Sequence, residues 1–361
     1  MSAAPSARLG SIDALRGITV AAMLLVNNPG DWAHVYAPLL HADWHGFTPT
    51  DLIFPLFLFI AGVSLAFSLE PRAQDVAARP ALRRALLQRA LRILLAGVLL
   101  HALAWWLFAL PAYRLWGVLQ RIALCVGTVG LFALYLRPRL QWAVLGLLLL
   151  GYAVALLAAD TLEPWHNPVS RLDTTLFAPY VYRYDPLTGL GHDPEGLPST
   201  AGALATTLLG LIAGRALRDG GTRALVALGA ASLALGLAAQ WPGGLPLNKN
   251  LWTPSYVLVS GGMSVFALLL AHALVDRHGW PAIGRRFGVN AIAAYLGSSV
   301  MALVMIASGA WAACNGWLLG WLLGWLPSHP QLASLGCALG FVLLWWGVVW
   351  GLDRHRIYLK L

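Results

Sequence analysis

Charge is what this chain has least of. Only 11% of its 361 residues are Asp, Glu, Lys or Arg, against about 25% in ordinary soluble domains. That deficit is too large for a water-facing surface. It excludes the two or three soluble domains that the length alone would allow. Cysteine is also scarce: Cys125, Cys314 and Cys337 lie in or beside apolar runs without metal-ligand spacing, so neither a disulfide framework nor a zinc site is expected. The sequence has no GxGxxG, no Walker loop and no G-x-S-x-G elbow. Its first twelve residues are polar and lack a signal-peptide pattern, so the first apolar run is expected to remain as a helix.

What is present is apolar sequence. Hydrophobic residues make up 59% of the chain, and they recur in runs near the roughly 20 residues that a membrane-spanning helix needs. Runs near 13–29, 50–69, 87–109, 116–135, 140–159, 201–218, 223–240, 254–275, 288–309 and 333–352 predict an all-α, polytopic transmembrane bundle of about ten spans. The whole chain, 1–361, reads as one membrane domain. A further run, 316–326, is too short to cross and is rich in Gly and Trp; an interfacial or re-entrant segment is expected there, before Pro327, Ser328, His329 and Pro330.

The net charge of +9 is a topology signal and not a nucleic-acid signal. Nineteen of the 24 basic residues fall in one set of links, from Arg8 and Arg16 through the Arg72–Arg92 stretch to Arg354, Arg356 and Lys360. The positive-inside rule places that set, and both termini, in the cytoplasm. Outside remain loops near 30–49, 160–200 and 241–253. The first carries Asp31, His34, His41, Asp43 and His45; the second is unusually long and rich in Pro, Tyr, Trp and Asp. A connection of about 40 residues is longer than most and tends to carry function.

Polar groups at membrane depth are costly and face a cavity or a partner. Asn27 and Asn28 end the first run, Asp51 opens the second, Gln120 and Arg121 lie in the fourth, and Asn290 starts the ninth. Asp13 and Arg16 are neighbours on one helix face; they either pair with each other, or Arg16 meets an anion from the cytoplasm. His41 and His45 lack a following Glu and a third ligand with motif spacing, so no metal is expected.

Several segments taken together resemble one family. They are Ser11-Ile-Asp13-Ala-Leu-Arg16-Gly17, Val26-Asn27, and His41-Ala-Asp-Trp44-His-Gly46-Phe-Thr-Pro-Thr-Asp51-Leu-Ile-Phe54-Pro55. Gly117-Val-Leu-Gln120-Arg121, Asp193-Pro194-Glu195-Gly196, Leu247-Asn248-Lys249-Asn250-Leu251-Trp252 and Gly288-Val-Asn290 follow in order. The pattern resembles the heparan-α-glucosaminide N-acetyltransferase family, in its compact bacterial form without the large N-terminal luminal domain of the animal enzyme. The resemblance implies an inner-membrane acetyltransferase, with acetyl-CoA as co-substrate, an amino-sugar acceptor on the far side, and a homodimer in the bilayer. It implies catalytic roles for His41 and Asn27; Asp51 is a further catalytic candidate, Arg16, Gln120, Arg121 and Asn290 are candidate acetyl-CoA contacts, and Trp44, Asn248, Lys249 and Asn250 are candidate acceptor contacts.

The chemistry suits these residue types. A fixed amide such as Asn27 can stabilise the oxyanion of an attacked thioester, and His41 can take the amine's proton. Asn28 is a rival for the first role. Asp51 either orients the imidazole or holds the sugar ammonium. Direct transfer is favoured over an acetyl-His41 intermediate, which would be a charged acyl-imidazole. Arg16 and the Arg83–Arg84 region are candidate phosphate contacts by charge and side alone. An amino-sugar or oligosaccharide transporter is the alternative reading.

Overall fold

The computed structural model describes residues 9–241, 243–323 and 329–359. Arg8 and Lys360 of the charge tally, and Pro327 and Ser328, lie outside the described residues. The elements are, in order, α1 (Gly10–Asn27), α2 (Ile53–Ser68), the single turn α3 (Glu70–Ala73), α4 (Arg79–Leu107), α5 (Val118–Tyr135), α6 (Pro138–Leu157) and α7 (Pro168–Phe177). A two-stranded antiparallel hairpin follows, β1 (Arg183–Asp185) and β2 (Leu190–His192), with Tyr184 opposite Gly191. Then come α8 (Thr200–Arg218), α9 (Thr222–Ala238), α10 (Pro254–Ala271), α11 (Arg285–Val289), α12 (Ala291–Ala307), α13 (Ala310–Leu323) and α14 (Pro330–Arg354).

Among the described residues eight helices are long and apolar enough to cross a membrane: α1, α2, α4, α5, α6, α8, α10 and α14. The bent pair α12–α13 can count as a ninth, and α9 is an apolar helix of 17 residues. Every predicted span therefore falls on a helix. The short Gly/Trp run is longer than expected: α13 begins at Ala310 and turns away from α12 by 80°. α4 also begins earlier, at Arg79, because Pro80 is preorganised for a first helical turn and needs no N–H partner there.

Small residues set how closely the helices approach. Gly62 of α2 lies against the Thr207 carbonyl of α8, and Gly210 of α8 lies against the Phe59 carbonyl of α2. A Cβ at either glycine would overlap the facing backbone, so this seam depends on their bare Cα atoms. α8 is the most enclosed span, while α4 and α6 expose Leu95, Leu99 and Trp106, and Leu147, Leu150 and Val154. Apolar surface of that extent is stable in lipid and not in water. The chain is an integral membrane protein.

The basic helix ends gather on one side. Arg215 and Arg218 of α8 pair with Glu70 of α3, Arg215 also meets Gln141 of α6, and Arg285 of α11 reaches Asp353 of α14 at 3.2 Å. At the other side the 160–200 segment is folded over the helix ends. Asn167 caps α7 by accepting from Ser170 N at 2.8 Å, Asp173 accepts from Leu197 N at 2.9 Å, and Leu115 N bonds Tyr180 O at 2.9 Å. The expected long outer loop is thus a built cap.

Candidate active site

His41, Asn27 and Asp51 come together at the capped side. Asn27 is the last residue of α1, and it lines a cavity of about 120 Å³ with His41, Phe54, Glu195, Lys249 and Tyr295. Asn28 turns its amide back to Leu24 O at 2.7 Å, and it is not among the lining residues. The geometry therefore puts Asn27, and not its neighbour, beside His41.

Asp51 is fully enclosed, and the local sequence explains its position. Thr48, Pro49 and Asp51 form a capping box that opens the helical run into α2. Asp51 Oδ2 accepts from Ala42 N at 3.1 Å and Thr48 N at 3.0 Å. Oδ1 is left for His41 Nδ1 at 2.7 Å. A carboxylate only accepts, so Nδ1 carries the proton and the lone pair falls on Nε2. The Asp51 carbonyl in turn accepts from Tyr256 OH of α10 at 2.5 Å. Of the two roles left open for Asp51, this geometry fits ring orientation.

Lys249 Nζ lies against the imidazole, 2.9 Å from Nδ1, 3.0 Å from Nε2 and 3.8 Å from Asp51 Oδ1. Burial lowers its pKa below the usual lysine value, against the opposing pull of Glu195 and Asp51. Glu195 is held ionised: burial would raise its pKa, but Arg114, Arg121 and Lys249 bring it below the usual carboxylate range. Arg114 bridges Asp193 at 2.7 Å and Glu195 at 2.5 Å. Glu195 is legible in the sequence only as part of the Asp193-Pro194-Glu195-Gly196 motif, without a role.

Other expected contact residues make contacts within the protein. Trp44 ties its indole to Leu162 O at 2.9 Å and stacks edgewise on His192, joining two outer loops. Asn248 accepts from Leu251 N at 2.8 Å and meets His45 Nδ1 at 3.2 Å, so it shapes the turn that presents Lys249. Asn250 is half-buried and does not line the cavity. Gln120 bonds Leu115 O at 3.0 Å, and Arg121 bonds Gly196 O at 3.1 Å and Ser199 while its guanidinium lies 5.0 Å from the Trp252 ring. Neither lines a cavity described here. Trp252 itself sits at φ 51°, a left-handed conformation rare for a bulky residue, and bonds Thr206 at 3.1 Å.

A second cavity, of about 140 Å³, opens toward the basic side and is lined by Arg16, Ser64, Ser68, Arg89, Val289 and Leu359, among others. Arg16 donates to Gly288 O at 2.7 Å and Ser64 Oγ at 3.3 Å and pairs with Asp13, the first of its two readings, while also lining this cavity. Arg89, from α4, was legible only as a topology charge. Arg83 and Arg84 do not line this cavity. Asn290 does not line it either; it clamps the C-terminal strap by accepting from Leu359 N at 2.9 Å and donating to Ile357 O at 3.1 Å.

The two cavities share four helices. Along α2 the lining passes from Phe54 to Phe57, along α5 from Val118 to Ile122, along α12 from Tyr295 to Ile292, and along α1 from Met23 down to Arg16. On three of these helices one turn, about 5 Å of rise, separates the two linings.

Residues 8–184 match the family described as heparan-alpha-glucosaminide N-acetyltransferase, catalytic. The match takes in Asn27, His41, Asp51 and Arg89 and stops short of Glu195 and Lys249. The human heparan-alpha-glucosaminide N-acetyltransferase is 27% identical over 83% of this chain, and the mouse protein 26% over 81%. The chain spans about half the length, 54%, of these curated relatives. With Asn27 and His41 of that match on one cavity and Asp51 bonded to His41, the chain is similar to the heparan-α-glucosaminide N-acetyltransferase family over about half its length.

Proposed function

We propose that this protein is a transmembrane acetyltransferase that takes the acetyl group of acetyl-CoA at the basic, cytoplasmic side and passes it to an amino sugar of glucosamine type on the capped side. The observation that carries this reading is the pair of cavities on shared helices: a His–Asp dyad with an amide at one, two arginines at the other, and linings that come within one turn of each other on α2, α5 and α12.

In this reading Arg16 and Arg89 hold phosphate groups of the nucleotide, and the thioester arm runs between α1, α2, α5 and α12 toward Asn27. The acceptor amine enters beside His41, and Nε2 takes its proton as nitrogen attacks the thioester carbonyl. Asp51 fixes the ring and stabilises the imidazolium. The Asn27 amide meets the developing oxyanion. Collapse releases the thiolate, which recovers the proton from His41. Direct transfer requires only that amine and thioester share this cavity. Glu195, kept ionised, favours a cationic acceptor over a neutral sugar.

The test is acetyl-CoA-dependent acetylation of glucosamine by the purified protein, wild type beside His41→Ala and Asn27→Ala. Product from the wild type and none from a folded His41→Ala variant supports the reading. Amino-sugar uptake into proteoliposomes without acetylation would replace it with transport.

A further inference from the structure

Of the 24 basic residues in this chain only two are lysines, Lys249 and Lys360. Everywhere else a cation is wanted, the chain uses Arg. A guanidinium stays protonated and is no nucleophile, whereas an ε-amine is a nucleophile whenever it loses its proton. One of the two amines is placed at the catalytic imidazole. Lys249 Nζ is 3.0 Å from His41 Nε2, the atom whose lone pair is left by the Nδ1–Asp51 bond, and it lines the same cavity as Asn27. An acceptor amine must occupy that same place. The turn that presents Lys249 is fixed from both sides: Asn248 accepts from Leu251 N, and Thr253 accepts from Asn248 N at 3.2 Å.

We propose that Lys249 is itself an acetyl-acceptor site: when no external amine fills the cavity, the enzyme acetylates its own Lys249 from acetyl-CoA. The inference rests on the acetyltransferase reading above. The Lys249 nitrogen attacks the thioester carbonyl, a C–N bond forms, the C–S bond breaks, and the amine proton passes through His41 Nε2 to the leaving thiolate. The product is an amide, too stable to hand the group on, so the modified protein is a closed state with the acceptor position filled. The groups facing Lys249 are His41, Asp51, Glu195 and Arg121. Burial and Arg121 favour the neutral amine, and the two carboxylates oppose them. An acceptor sugar competes for the place and protects the lysine.

The composition supplies an internal control. Full-length protein in lipid nanodiscs is incubated with isotope-labelled acetyl-CoA without sugar, digested, and read by mass spectrometry at Lys249 and Lys360. Proximity to His41 predicts labelling of Lys249 at least about tenfold faster than Lys360. Glucosamine should suppress it, and it should fall to the Lys360 rate in both His41→Gln and Asn27→Ala. Wild type preincubated with acetyl-CoA should lose glucosamine turnover in step with Lys249 labelling, a time-dependent loss that Lys249→Arg removes whatever its starting rate. A preparation that turns over glucosamine yet leaves Lys249 unlabelled in the sugar-free incubation overturns this proposal and leaves the acetyltransferase reading standing. Labelling equal at the two lysines, or unchanged in both variants, also overturns it. Neither turnover nor labelling overturns both.

Discussion

The two cavities are built in opposite ways. At the capped side the reactive groups come largely from loops, and each is held by charge or by a backbone hydrogen bond: His41 by Asp51, Glu195 by Arg114, Lys249 by its tight turn. At the basic side the charged groups, Arg16 and Arg89, stand on long helices. The difference teaches a division of labour. On the proposed function, chemistry at the capped side needs sub-ångström placement of loop residues, whereas holding a flexible polyanion at the basic side needs charge in the right place, which helix faces supply.

Breaking the capped side should have the largest effect. His41→Ala removes the proton acceptor and should lower turnover by about 10²–10⁴-fold, with KM for acetyl-CoA little changed. Asn27→Ala should lower turnover by about 10²–10³-fold, measured at saturating acetyl-CoA. If either variant instead raised KM alone, the proposed allocation of roles would be wrong.

The basic side should answer in binding. Arg16→Gln and Arg89→Gln are each expected to raise KM for acetyl-CoA roughly tenfold, the loss of one charged hydrogen bond, with turnover near wild type. Arg121→Gln sharpens the contrast. Its guanidinium is buried against Ser199, Gly196 and Trp252, so a thermal scan should show lowered stability while KM for acetyl-CoA stays unchanged.

The smallest effect should come from the cap. Burial raises the Asp173 carboxyl to about 7, from 3.8, and lowers His192 to about 4, from 6.5. A raised carboxyl contributes stability below its unfolded value and loses it as pH climbs toward 7; a lowered imidazole contributes above 6.5 and loses it as pH falls toward 4. The two slopes oppose each other. Asp173→Asn should leave the His192 slope alone, making the protein more stable than wild type near pH 8 and steeper in its loss toward pH 5, by on the order of 1 kcal/mol. Melting temperature against pH reads it.

Much of this was legible in the residues. Apolar run lengths located the helices, because lipid makes length and hydropathy the controlling variables. The motifs point to Asn27, His41 and Asp51, and the fold sets Asn27 and His41 on one cavity with Asp51 bonded to the imidazole. For Gln120, Arg121 and Asn290 polarity at membrane depth does not distinguish a residue that faces a ligand from one that clamps backbone; the contacts described above are of the second kind, as Asn290 makes with Leu359. Arg89 was hidden because its role depends on the rotation of α4, which no local pattern encodes. Glu195 and Lys249 lie far from His41 in sequence, and only the folded cap juxtaposes them.

The capping box at Thr48 and Asp51 has one more consequence. The carboxylate that aims the imidazole is also the one that starts the helical run into α2, and its own carbonyl anchors Tyr256. Substitution at Asp51 cannot be a clean active-site lesion: it disturbs the helix start together with the imidazole. On the proposed function, turnover would double as a folding sensor, because the His41–Asp51 pair exists only where that helix has begun correctly.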